Sequence, residues 1–257
     1  MVKYNLTSSL FSEQVDIVKR PDIVHKYSIC TVVNDVYLDF LYYFVKSALE
    51  QCKDLNNIFI LYTGSDFPKL ELYCNDKVKV IKHNESINTE RIWDAGWAKN
   101  VELKTQFVKT LALVCDEPLF LVDVDCYFID DFIKAIDMTQ DLVICKRQVV
   151  INRDYIASFV GILKPKKCIP FLDRWINQIK TIRNVPKETL ALCLIMPHVK
   201  TQLKVQEIND DVISCVHVDP PLKGAKILHY KGRSVGEATD LIKGRFLKLK
   251  KIIDVPN

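Results

Sequence analysis

Asp123-Val124-Asp125 is the segment of this chain whose residue types and spacing point most directly to chemistry. Two carboxylates one residue apart present hard oxygen donors that suit Mg2+ or Mn2+. An ion held in this way completes its shell with substrate phosphates and neutralises charge on a departing diphosphate. A bare Asp-x-Asp also arises by chance in solvated loops, so the surroundings decide its meaning. Here it closes Leu119-Phe120-Leu121-Val122, a fully apolar run that reads as a buried strand. Carboxylates at the end of such a strand are placed to be ligands and not core.

The elements that must position these acids alternate along the chain. Tyr27-Ser28-Ile29-Cys30-Thr31-Val32-Val33 is a short, β-branched run bounded by Asn34-Asp35, as expected of a buried strand, with Asp35 as a helix N-cap. Phe40, Leu41, Phe44, Val45, Ala48 and Leu49 then recur at helical spacing as far as Cys52. A second strand, Ile58 to Tyr62, ends at the turn Thr63-Gly64-Ser65-Asp66, and a third covers Val78 to Ile81. A helix from about Ala98 to Val114 leads into the Leu119 strand. Beyond it come a strand at Leu142 to Cys145, a helix around Phe171 to Ile182 and a last strand at Ala225 to His229. This alternation predicts an α/β sandwich with a mostly parallel sheet and its ligand at the strands' carboxyl ends. With no internal repeat or linker, residues 1–257 read as one domain, with 1–26 as a lead-in and 223–257 as a basic C-terminal segment.

Composition narrows the class further. A chain of 257 residues, 49% hydrophobic and 26% charged, is an ordinary globular protein with ample material for a core. The nine cysteines are odd in number and contain no Cys-x-x-Cys; the nearest two, Cys115 and Cys126, lie eleven apart. They read as reduced, buried thiols acting as small hydrophobes, not as a zinc or disulfide framework. Met1 to Arg20 lacks an apolar stretch and carries Glu13 and Asp16, so no signal peptide is expected there. No apolar run approaches the ~20 residues of a membrane span, and the expected location is cytoplasmic. The net charge of +4 is uneven: Lys223 to Lys251 holds nine Lys or Arg against Glu237 and Asp240. That segment could face phosphates, a polyanionic acceptor or an anionic membrane, and equally could be a solvated helix face.

Three short segments then fall in a telling order. Asn34-Asp35-Val36-Tyr37, Asp123-Val124-Asp125 and His229-Tyr230-Lys231-Gly232-Arg233 resemble the first nucleotide-binding turn, the Asp-x-Asp motif and the His-x-x-Gly segment of the glycogenin-like and bacterial galactosyltransferase-like enzymes. The resemblance spans roughly residues 27 to 235, although only these segments match well. It implies a single-domain sandwich of the glycosyltransferase A type with a mostly parallel central sheet. It also implies hexosyl or pentosyl transfer from a nucleotide-diphosphate sugar, UDP favoured, to a hydroxyl acceptor. The family makes His229 a third metal ligand beside Asp123 and Asp125. An imidazole nitrogen in such a set favours Mn2+ over Mg2+. Thr31, Val33, Asn34 and Tyr37 fall where the family cradles base and ribose, and Val124 lies inside the Asp-x-Asp turn. Lys104 matches a basic residue that contacts the donor, with Lys99 and Lys109 as neighbours that could serve instead.

Departures from the family pattern are equally plain. Ser234-Val235-Gly236-Glu237 stands where the family has Lys-Pro-Trp, which leaves Lys231, Gly232 and Arg233 to meet the diphosphate. An Asn-x-Gly segment is reduced to Ser158-Phe159-Val160-Gly161, and an Asp-Gln pair becomes Glu188-Thr189. Glu188 is the carboxylate expected near the sugar or acceptor, as an orienting group or a general base. The acceptor is open: a glycan, a lipid-linked sugar, a protein, or a polyanion such as modified nucleic acid. Two other readings stand beside sugar transfer. Nucleotidyl transfer also uses acids on a nucleotide-binding sheet, but no glycine-rich phosphate loop lies near residue 34. A binding or scaffold protein on a decayed transferase fold would not need both acids and His229.

Overall fold

The protein is described by a computed structural model that covers residues 2–5, 14–17, 26–68, 71–87, 95–147, 154–183, 187–209, 211–215 and 223–230. Within the lead-in, β1 (Val2–Asn5) and β2 (Gln14–Ile17) pair antiparallel. The body then runs β3 (Tyr27–Val33), α1 (Leu38–Gln51), β4 (Leu55–Tyr62), β5 (Val78–Lys82), α2 (Ala95–Val114), β6 (Leu119–Val122) and β7 (Cys126–Phe128). It continues through β8 (Leu142–Lys146), β9 (Tyr155–Ile162), α3 (Ile169–Thr181), α4 (Lys187–Val199), β10 (Val205–Asn209), β11 (Ile213–Cys215) and β12 (Ile227–His229).

Seven strands form the central sheet in the order β10-β8-β9-β6-β3-β4-β5. Every neighbouring pair is parallel except those made by β9, which lies antiparallel between β6 and β8. The expected α/β sandwich with a mostly parallel sheet is therefore what the chain forms. Period-2 alternation divides its strands between two cores. Ile29, Ile58, Ile60, Phe120 and Val122 point to the side covered by α1 and the small sheet. Cys30, Phe59, Leu61, Leu119 and Leu121 point to the side of α2, α3 and α4, where Phe107, Trp175 and Met196 pack.

Several expectations need correction. β9 was not anticipated as a strand, yet all eight of its residues are buried. A strand covered on both faces has no apolar–polar alternation to read. Ser158 to Gly161 thus belongs to the core, and a Cβ on Gly161 would come within 2.7 Å of the Phe120 ring. α4 was hidden by Pro197, which sits inside the helix near its end. Asp35 caps no helix: it lies in a short 3-10 turn, Asp35–Tyr37, ahead of α1. β12 is shorter than expected and leaves the main sheet. It joins a three-stranded sheet, β11-β12-β7, parallel to β11 and antiparallel to β7. Among the described side chains, eight cysteines are free thiols, six of them fully or nearly buried. Among the described residues, no helix is long and apolar enough to cross a membrane.

Candidate active site

β6 delivers Asp123 at its carboxyl end, and alternation decides which way it faces. Val122 points to the α1 side, so the next residue faces α2 and α4. There Asp123 Oδ1 meets Lys104 Nζ of α2 at 2.5 Å, with the lysine side chain only 7% exposed. Val124 is buried in the opposite core, an apolar pin between the two acids. Cys126 N donates to Asp123 O at 3.1 Å, closing a tight turn between β6 and β7. Asp123 N in turn donates to Ser158 O at 2.9 Å, so β9 fixes the turn from the far side.

The small sheet brings in the distant partner. His229 lies directly opposite Cys126 in the antiparallel β12–β7 pair, and Tyr230 N donates to Asp125 O at 3.0 Å. His229 Nε2 consequently sits 3.4 Å from Asp125 Oδ1 and 4.0 Å from Asp123 Oδ2. The imidazole is 2% exposed. Burial works to raise the Asp125 carboxyl, but the charge and hydrogen bond of His229, with Lys104 behind them, hold it below the usual carboxylate range. For Lys104, burial favours the neutral amine, but Asp123, Glu188 and Asp125 outweigh it and raise its pKa. Ligand atoms of Asp125, Cys126 and His229 all lie within 4.8 Å of one another. Sequence reading missed Cys126, because its thiol was counted among the inert core cysteines.

The Asp125 carboxylate and the His229 imidazole are spaced to suit a divalent transition-metal ion, with Asp123 Oδ2 farther off, 4.0 Å from the imidazole. Ligands about 2.1 Å from an ion are separated by roughly 3.0–3.4 Å, close to the Asp125–His229 spacing. Glu188, in the first turn of α4, is buried and lies within the field of Lys104. Its backbone is pinned by Trp175 Nε1, which donates to Glu188 O at 2.9 Å. Lys99 pairs instead with Glu85 at 2.9 Å and Lys109 with Asp173 at 2.5 Å, so neither takes the place of Lys104.

The turn after β3 lies at the carboxyl end of the strand that pairs parallel with β6. Thr31 and Val33 lie in the core of β3, 0% and 2% exposed, so the structure does not present them to a nucleotide as the resemblance implied. Asn34, at the strand end, is buried, and its Oδ1 has no hydrogen-bond partner among the described residues. A buried acceptor of that kind fits a donor that a bound ligand would supply. Asp35 accepts from Ser65 N and Ser65 Oγ, each at 3.0 Å, and from the Tyr62 hydroxyl. Tyr37 is half-buried, its ring centroid 6.0 Å from that of Phe40. Lys231, Gly232, Arg233 and the remaining basic segment to residue 257 lie outside the described residues.

No protein-family model and no curated protein matches the chain. Solved structures do match in fold. The galactosyltransferase LgtC in complex with donor and acceptor sugar analogues aligns at a TM-score of 0.58 and 14% identity, over 84% of this chain and 95% of that one. A glycosyltransferase involved in glycosylation of the major capsid of PBCV-1 aligns at 0.57 and 11% identity, over 85% and 99%. The glycosyltransferase GlyE of Streptococcus pneumoniae TIGR4 aligns at 0.55 and 14% identity, over 88% and 64%. With an alignment over 95% of LgtC and a mostly parallel seven-stranded sheet of its own, this chain has the glycosyltransferase A fold.

Proposed function

We propose that this chain is a metal-dependent glycosyltransferase that moves a sugar from a nucleotide-diphosphate donor, UDP favoured, to a hydroxyl acceptor. The observation that carries the reading is the Asp125–His229 approach of 3.4 Å, made by two distant segments at the end of β6 in this fold. Asp123, Asp125 and His229 would hold Mn2+, or less well Mg2+, because the set mixes oxygen with an imidazole nitrogen. When bound, the ion would supply positive charge that stabilises the diphosphate as it leaves.

The chain's own residues account for the rest. Lys104 orients Asp123 through Oδ1, leaving the other carboxylate oxygen turned toward His229. Asn34 and Tyr37, at the end of β3, would receive the nucleoside. Glu188, held by Trp175 through its carbonyl, is the carboxylate assigned in this reading to orienting the sugar or acceptor. Preorganised charges of this kind act at small reorganisation cost. The support for donor binding is the buried Asn34 Oδ1, which has no hydrogen-bond partner among the described residues.

The deciding experiment is a thermal-shift screen of nucleotide-sugars with Mn2+, followed by an assay of donor hydrolysis on the hits. A ligand that binds only the folded state raises its melting temperature. Stabilisation and slow hydrolysis by a UDP-sugar, both lost in Asp125→Ala, are expected. Binding without any turnover would favour a scaffold protein on this fold, and equal activity in excess EDTA would remove the metal from the mechanism.

A further inference from the structure

Cys126 stands directly opposite His229 in the antiparallel β7–β12 pair, so both side chains emerge on the same face of the ribbon. Its thiol, the Asp125 carboxylate and the His229 imidazole have ligand atoms within 4.8 Å of one another. Asp123 is less free to close on the same point. Its Oδ2 is 4.0 Å from His229 Nε2, while its Oδ1 is held by Lys104 at 2.5 Å. The compact donor set is thus one oxygen, one nitrogen and one sulfur.

We infer that Cys126 is a ligand of this centre for thiophilic divalent ions, so that the site takes Co2+ or Zn2+ through sulfur as well as Mn2+ through oxygen and nitrogen. The inference rests on the metal-centre reading above. A tetrahedral ion with bonds of about 2.3 Å to sulfur and about 2.1 Å to nitrogen needs those donors roughly 3.5 Å apart. Binding such an ion requires the triad, whose ligand atoms lie within 4.8 Å of one another, to close to that spacing. On coordination the thiol releases its proton to solvent and the thiolate forms the metal–sulfur bond. Thiolate shifts the order of preference toward the softer ions, whereas a set of oxygens and one imidazole leaves Mn2+ competitive. Cys126 is therefore a determinant of which metal occupies the centre.

The test is a titration of the whole chain with Co2+ alone, followed by absorbance. Bound Co2+ is expected to show visible ligand-field bands together with a near-ultraviolet thiolate-to-cobalt charge-transfer band, the two saturating in parallel. In Cys126→Ser the charge-transfer band should vanish while the ligand-field bands persist. The preference for Co2+ over Mn2+ should fall on the order of tenfold or more. His229→Ala, which retains Cys126, should lose both signals, so the result does not hang on one variant's folding. Ligand-field bands without the sulfur band in the wild type, or a sulfur band that survives Cys126→Ser, would overturn the role of Cys126 and leave the metal centre intact. No Co2+ binding at all would overturn both.

Discussion

Lys104 Nζ and Asp123 Oδ1 lie 2.5 Å apart, joining the middle of α2 to the end of β6. The lysine is buried, and its charge is matched by Asp123 first, then by Glu188 and Asp125. An ammonium so placed is compensated rather than merely tolerated, and its removal leaves partly buried carboxylates to one another's repulsion.

Lys104→Met should therefore lower stability at neutral pH by on the order of 2–3 kcal/mol, less than for a wholly buried pair because Asp123 is 25% exposed. The lysine's pKa is raised in the folded state, so its contribution is full below the unfolded value of about 10.4 and is lost as pH rises through the folded value. Mn2+ should restore part of the lost stability in the variant by neutralising the same carboxylates. Urea melts at pH 7 with and without Mn2+ measure both effects. A variant as stable as the wild type would show that the pair has no structural weight.

His229→Ala should lose most of the Mn2+ affinity while the fold survives, since the imidazole supplies the nitrogen of the set. Protons compete for that nitrogen, so apparent Mn2+ affinity should weaken on acidification in the wild type and much less in the variant. Isothermal titration with Mn2+ and with Mg2+ checks this, and Mn2+ should bind more tightly. Superimposable Mn2+ titrations of the two proteins would take His229 out of the centre.

At Gly64, too, a methyl group has no room. Its Cβ would fall on the Asp35 carboxylate and the Tyr62 hydroxyl, so Gly64→Ala must push aside the acid that buttresses the turn after β3. That carboxyl is held below its ordinary value because hydrogen bonds from Tyr62 and Ser65 outweigh its partial burial. Gly64→Ala should cost about 1–2 kcal/mol and weaken nucleotide binding more than Mn2+ binding. A UDP thermal shift equal to that of the wild type would detach this turn from the donor site.

Glu207 reports on the far edge of the sheet. Its carboxylate, on β10, accepts from Tyr155 Oη at 2.6 Å and pairs with Lys200 and with Lys146, the latter at 3.1 Å. Burial opposes ionisation, but these partners win and lower its pKa from 4.5 to about 2. A depressed carboxyl stabilises the fold above its unfolded pKa and loses that contribution as pH falls through the folded value. Glu207→Gln should be less stable than the wild type by on the order of 2 kcal/mol at pH 7, allowing for partial solvent exposure. The gap should narrow below pH 4.5 and close near pH 2. Denaturation curves across that range decide it, and a gap constant with pH would assign the effect to packing.

By itself, the sequence determined what depends on local patterning. Leu119–Val122 is a continuous apolar run followed by two acids, so the strand and the placement of Asp123 at its end follow from hydrophobicity alone. α1 likewise announces itself by helical spacing, and the alternation of such elements specifies a mostly parallel sheet. Tertiary structure alone decided what depends on distant pairing. β9 enters the sheet antiparallel, and its burial on both faces erases the period by which it could have been read. The partners of Asp123 and Asp125, which are Lys104 across a helix and His229 across a second sheet, are set by the crossing of α2 and the register of β12 on β7. That same register, which shows no trace along the chain, turns Cys126 from one more buried thiol into a neighbour of the imidazole. Side chains far apart in sequence meet only when loop closure has been offset by the burial of two cores, and no local pattern encodes that balance.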